Sequence, residues 1–258
     1  MREIRGLAYA SLLTMHRQVF ARKTLAVGVL VALASLATLA WTLRRGQALR
    51  NEPDRLALEF GEDVVMFTFV GTLTPILCLI YATAAIGEER EERTLVYWIT
   101  RPLSRWRLYF AKGLGTAPVV LLSVLAAFSL VCVFGGPAGR TAFLRFLPGV
   151  ALGSLAYTAL FLWIGAVAPK PLVVSVLYAF LIESLIGNMP GTLKRAAISY
   201  HTKCILYDAG ASIGIRPENP ANFLPIAGDA SVRVLWCMIA LFLLFGAASF
   251  QRREYREL

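Results

Sequence analysis

Gly210-Ala211-Ser212-Ile213-Gly214 has the GxSxG spacing of a nucleophile elbow, and His201, Asp208 and Asp229 lie close to it in sequence. That set would suit a serine hydrolase, in which a histidine takes the serine proton and an acid orients the histidine. An elbow needs a strand, a sharp turn and a helix seated on a substantial sheet, and residues 189–231 are too short to build one. The pentapeptide therefore reads as a flexible turn. An intramembrane protease would hold its serine and histidine inside different spans, but His16 and His201, the two histidines of the chain, both fall outside the long apolar runs. Cys78, Cys132 and Cys237 fall in three separate runs and Cys204 outside them, so no metal-ligand spacing emerges and no intrachain disulfide is implied. The cysteines read as small packing residues. No GxxxxGK[ST] phosphate loop is present, and Gly113-Leu114-Gly115 lacks the spacing and the strand that a phosphate cradle needs. No catalytic residue, metal or bound cofactor is expected.

Glu183 is the one acid placed inside an apolar run, where an ionisable group is a functional candidate by default. Three roles are open to it: lining a substrate path, pairing with a base across a dimer, or sitting near the outer headgroups if its span is re-entrant. Gly187 and Pro190 close behind it favour a break in the helix at that point.

The densest polar feature is Ile86 to Lys112, IGEEREERTLVYWITRPLSRWRLYFAK, wedged between two apolar runs. Each arginine at the middle of a bilayer costs about 2.5 to 3.5 kcal/mol on insertion scales, so Arg90, Arg93, Arg101, Arg105 and Arg107 must lie outside the hydrocarbon. Glu88, Glu89, Glu91 and Glu92 crowd the start of the block. If a helix began there, each would gain about 0.3 to 1 kcal/mol from its macrodipole. Glu88 and Glu92 repel at i and i+4 while Glu89 and Arg93 attract, so the local balance is near neutral. Complementary charge from another chain would explain the clustering better. Leu95, Trp98 and Ile99 then share a helical face, Pro102 breaks it, and Ser104 is placed to cap a second short helix carrying Trp106, Tyr109 and Phe110. Two readings remain open on these residues alone: a docking surface, or a juxtamembrane loop anchored by arginines and aromatics.

The elements that hold this block are membrane spans. The chain is 57% hydrophobic and only 16% charged, which excludes a soluble domain of this length. Six runs approach the roughly 20 residues that cross a 30 Å hydrocarbon core, at about 24–43, 64–87, 113–135, 147–168, 171–188 and 232–250. The first is kept as a retained helix rather than a signal peptide, because it is too long and its Ala32-Leu33-Ala34 falls mid-run. The short Pro169-Lys170-Pro171 turn predicts that the fourth and fifth spans are antiparallel neighbours. Both termini, residues 88–112 and that turn would share one side. They hold 15 of the 26 Lys and Arg, a density that places them in the cytoplasm. The formal charge of +10 lies beside apolar runs rather than on a basic domain, which points to anionic lipid headgroups and not to nucleic acid.

Residues 3–20 carry Leu12, Leu13, Met15, Val19 and Phe20 among polar residues, compatible with an amphipathic helix in the interface or with a tail that merely sets topology. In the outer segment, Thr192 to Leu206 predicts a helix with Leu193, Ala196, Ala197, Tyr200 and Cys204 on one face, resting on the membrane or capping the bundle. Gly149, Gly153 and Ser154 suit close helix packing.

The charged block resembles the signature of type-2 ATP-binding-cassette (ABC) permeases, similar to those of the nitrous-oxide-reductase accessory transporter. Glu89, Arg90 and Glu91 match its acidic-basic cluster, followed by Thr94-Leu95, Arg101-Pro102, Ser104-Arg105 and Lys112. Arg93 stands where a glycine commonly precedes Thr-Leu, which leaves a tight backbone approach there unsupported. The resemblance implies an all-α membrane protein of a single domain. It would have six transmembrane helices, an N-terminal interfacial amphipathic helix and a cytoplasmic helix-break-helix coupling loop. It implies an exporter subunit in the cytoplasmic (inner) membrane that pairs with a second permease, most simply its own copy. A separate ABC ATPase subunit would bind ATP and Mg. Glu89 to Leu95 would contact that ATPase, Arg101 and Pro102 would fix the bend, and Arg105 and Lys112 would hold the loop at headgroup level. The alternative is a non-transporting membrane scaffold that recruits a cytoplasmic partner through residues 88–112.

Overall fold

Long apolar runs wind into long helices, across Pro118 and Pro148 in two of them, in the computed structural model, which describes residues 2–49, 51–92, 104–185, 192–217 and 223–252. Among the described residues all regular structure is helical. Helix α1 is Arg2–Val19 and α2 is Arg22–Ala48. Helix α3, Pro53–Glu59, runs on through a π-helical stretch, Phe60–Leu73, into α4, Thr74–Glu91. Helices α5 (Arg105–Phe134) and α6 (Gly136–Val167) follow. Helix α7, Pro171–Tyr178, continues as a π turn, Ala179–Leu185. Helix α8 is Ile198–Gly210, flanked by 3-10 turns at Leu193–Ala196 and Ala211–Ile213, and α9 is Gly228–Arg252.

Five of these helices are long and apolar enough to cross a membrane: α2, the joined α3–α4, α5, α6 and α9. The expected fifth span, 171–188, is described only as far as Leu185 and is a shorter apolar helix. Several helices outrun the expected spans. Helix α5 begins at Arg105 rather than 113, because Arg-Trp-Arg-Leu-Tyr-Phe-Ala-Lys contains neither Gly nor Pro to stop it. The short helix expected after Ser104 is therefore the start of the third span. Ser104 occupies the position before it without a side-chain capping bond.

Helix α6 is the hub and packs against α4, α5, α8 and α9. Its Tyr157 and Phe161 rings are buried and stacked, with centroids 6.0 Å apart. Phe161 meets Tyr178 of α7 edge-on at 6.1 Å, across the short turn that makes α6 and α7 neighbours. Helix α2, by contrast, buries one narrow stripe, Val27, Val31, Ser35 and Thr38, and exposes Leu25, Val29, Leu33 and Leu36, as a helix bordering lipid would. Helix α1 turns Ala10, Thr14 and Gln18 inward onto α5 and leaves Tyr9, Leu12, Met15, Val19 and Phe20 exposed. This approach needs Gly115 of α5, since a Cβ there would collide with the backbone carbonyl oxygen of Ser11.

Candidate functional site

Helix α4 does not stop at the acidic cluster. It continues to Glu91, so Glu88, Glu89 and Glu91 sit in its last turns rather than in the first turn of a new helix. Carboxylates at that end oppose the macrodipole. Glu88, Glu89 and Glu92 are held by cations from elsewhere in the same chain. Lys23 Nζ, at the start of α2, donates to Glu88 Oε2 at 2.8 Å. Arg17 of α1 reaches Glu92 Oε2 at 3.3 Å and Glu89 Oε1 at 3.5 Å. Lys112 Nζ, from α5, donates to Glu89 Oε2 at 2.5 Å and to the Ala85 carbonyl at 3.4 Å.

The two inner members are out of water: Glu89 is 7% exposed and Lys112 1%. Pairs such as Lys23–Glu88 and Arg17–Glu92, half open to solvent, contribute about 0.2 to 1 kcal/mol each. The buried Glu89–Lys112 pair acts differently, because loss of one partner strands the other in a low-dielectric interior. Deeper still, Gln18 Nε2 donates to the Tyr81 carbonyl at 3.2 Å and to Thr116 Oγ1 at 3.1 Å. Thr116 in turn donates to the Lys112 carbonyl at 2.8 Å. On the opposite side of α4, Arg90 donates to the carbonyls of Ala168 and of Pro169, the latter at 2.7 Å. One polar clamp thus ties α1, α2, α4, α5 and the α6–α7 turn together. A cavity of ≈ 170 Å³ opens into it, lined by Arg17, Gln18, Lys23, Glu88, Glu89 and Glu92.

Of the residues singled out in the sequence, Glu89, Arg90 and Lys112 meet in this clamp. Lys112, expected to hold the loop at headgroup level, is turned inward onto Glu89. Complementary charge for the acids comes at least in part from this chain. Arg105 is the first residue of α5 and half-buried, and Glu91 is the last of α4. Thr94, Leu95, Arg101 and Pro102 lie outside the described residues, as do the first helix and the break of the expected helix-break-helix. The roles of Arg17, Gln18 and Lys23 were missed. The signal available was that Thr14, Gln18 and Arg17 cluster on the α1 face opposite its exposed apolar stripe.

Glu183 is also inside the fold, at 3% exposure. Its carboxylate accepts the backbone N–H groups of Ile198 and Ser199, the first two residues of α8, at 3.1 and 3.0 Å, and the Tyr178 hydroxyl at 3.2 Å. It therefore joins the end of the α7 segment to the start of α8, satisfying two orphan donors at the positive end of that helix. The GxSxG segment closes α8: Gly214 takes the left-handed φ of +87°, and Ser212 accepts a hydrogen bond from Arg145. A helix terminus of this kind is no nucleophile elbow.

The fold and its clamp define a helical, multi-pass membrane protein with a charged cluster joining the ends of several helices. The family model described as ABC-2 family transporter protein matches residues 5–255, and the chain belongs to that family. It is thus a permease component of an ABC transporter, in a family whose members partner ABC ATPase subunits. No curated protein matches the chain.

Proposed function

We propose that this chain is the membrane subunit of an ABC exporter, with six spans, both termini in the cytoplasm and the cytoplasmic membrane as its site. A separate ATPase subunit carries ATP and Mg, and a second copy of the chain completes the permease. The single observation that carries the reading is the clamp itself, within a chain matched to the family over nearly its whole length. The ends of α1, α4 and α5 are joined there by bonds that cross 23 to 98 residues of sequence. Force applied to the segment between α4 and α5 would move all three as one body. Glu91, Thr94 and Leu95 would touch the ATPase directly, Arg101 and Pro102 would set the bend, and Glu89, Arg90 and Lys112 would transmit the push into the bundle. Nucleotide-driven closure then shifts the population between inward-facing and outward-facing states, because the ATPase binds the two differently. The exposed apolar face of α1 would lie in the inner interface among lipids.

The test is purification of the tagged chain from its native membrane in mild detergent. The reading expects a phosphate-loop ATPase in the preparation and Mg-dependent ATP turnover that falls when Glu89 and Lys112 are changed. A chain that purifies with no ATPase, and leaves ATP turnover unchanged when added to one encoded beside it, is a scaffold instead.

A further inference from the structure

With the α6–α7 turn at the cytoplasmic boundary, as the proposed topology has it, two independent measures put the start of α8 near the middle of the bilayer. Gly149 and Gly153 of α6 seat Leu206 and Thr202 of α8, since a Cβ on either glycine would come within 2.6 Å of those side chains. At about 1.5 Å per residue, Gly153 is about 21 Å from Val167 at the cytoplasmic end of α6. Ile198 is one turn deeper than Thr202, about 15 Å from that end. Measured along α7 from Pro171, Glu183 is about 18 Å in, and it bonds directly to Ile198 and Ser199. Because α8 steps from Gly153 toward Phe146 as it advances, it continues outward from the point where the α7 segment ends. On that frame the α7 segment and the start of α8 meet at mid-depth, latched by Glu183.

The turn entering α8 is irregular: Leu193–Ala196 is a 3-10 turn and Ala197 is extended. Thr192, Leu193 and Arg195 on it are exposed, and Lys203 one turn into α8 is half-buried. His201 fixes this turn by a 2.8 Å bond between its Nε2 and the Arg195 carbonyl. Non-helical backbone and an exposed guanidinium at this depth are not tolerated against lipid; they occur where protein lines water. Glu183, the neighbouring acid, is buried while Arg195 is exposed, so the exposed face of the turn is cationic.

We propose that Arg195 faces a water-filled path through the assembly and meets the anionic group, phosphate or carboxylate, of an amphiphilic cargo. The proposal rests on the permease reading for the word cargo, but its test needs no ATPase and so fails separately from it. The four cysteines are replaced and Thr192→Cys or Leu122→Cys is introduced into the full chain in membrane vesicles. Leu122, 67% exposed near the middle of α5, is the lipid-facing control. A membrane-impermeant thiol reagent should label Thr192→Cys and spare Leu122→Cys. Dodecyl phosphate should slow that labelling where dodecanol does not. Arg195→Gln should raise the dodecyl phosphate needed about tenfold, the loss of one charge-assisted contact, and Arg195→Lys should restore most of the protection. Equal labelling of both positions, no labelling of Thr192→Cys, a disulfide between two Thr192→Cys copies in place of labelling, equal protection by dodecanol, or an unchanged Arg195→Gln response each overturns the proposal.

Discussion

Glu89→Gln removes the charge on one side of a buried pair and leaves the Lys112 ammonium, 1% exposed, facing an amide. One-sided loss of a buried ion pair costs about 3 to 5 kcal/mol. Lys112→Met should cost less, about 2 to 3 kcal/mol, because Glu89 keeps Arg17 at 3.5 Å and that arginine reaches solvent. Changing both together removes both desolvated charges, and the double variant should come within about 1 kcal/mol of the starting protein. The coupling between the two sites is then at least about 4 kcal/mol, beyond the roughly 0.5 to 3 kcal/mol usual for neighbouring residues. At about 2 to 4 °C per kcal/mol for a chain of this size, Glu89→Gln should lower the unfolding midpoint by about 6 to 20 °C, with the double variant recovering most of it. Thermal unfolding of the chain in nanodiscs, followed by tryptophan fluorescence, measures this. Additive losses, with the double variant melting lowest, would refute the clamp as an energetic unit.

Gly115→Ala should displace α1, since its Cβ meets a carbonyl oxygen that cannot swing aside; a cost of about 1 to 3 kcal/mol is expected, seen as faster amide exchange across residues 7–19. Gly153→Ala should loosen α8 because its Cβ would sit 2.6 Å from Thr202 Oγ1, and adding Thr202→Ala should restore protease resistance of the outer segment. Glu183→Ala should strand two buried N–H groups at about 1 to 3 kcal/mol, speeding exchange of the Ile198 and Ser199 amides, with Glu183→Gln falling between the two. Unchanged exchange in Glu183→Ala would remove the latch.

The helices were legible wherever an apolar run was long enough, even across Pro118 in α5 and Pro148 in α6, which is why the cores of α2, α4, α5, α6 and α9 fall where hydropathy puts them. Their ends were not, because helix continues past the hydrocarbon wherever no Gly or Pro stops it, as at Arg105 and at Glu88 to Glu91. The helix expected over Thr192 to Leu206 exists in part, but Ala197 is extended and α8 starts one residue later. Of its expected apolar face, Ala197, Tyr200 and Cys204 are buried and Leu193 is exposed. Charge partners were illegible for a plain reason: Arg17 and Glu92 are 75 residues apart, Lys23 and Glu88 are 65 apart, and no local spacing announces such pairs. Lys112 looked like a headgroup anchor because the hydropathy boundary passes through it, whereas its partner Glu89 draws it inward. Glu183 was visible as an acid out of place; Gly187 and Pro190, read as a break behind it, lie outside the described residues. That its oxygens hold the start of another helix follows only from the fold.

The account turns on which side of the membrane the charged end of α4 faces and on what covers it there. Glu92, 55% exposed at the end of α4, is the reporter. With the native cysteines replaced, Glu92→Cys should react with an impermeant thiol reagent in inside-out vesicles, be spared in right-side-out vesicles, and be protected when the ATPase subunit is bound. Reaction from the outside, or labelling indifferent to the ATPase, would contradict the account.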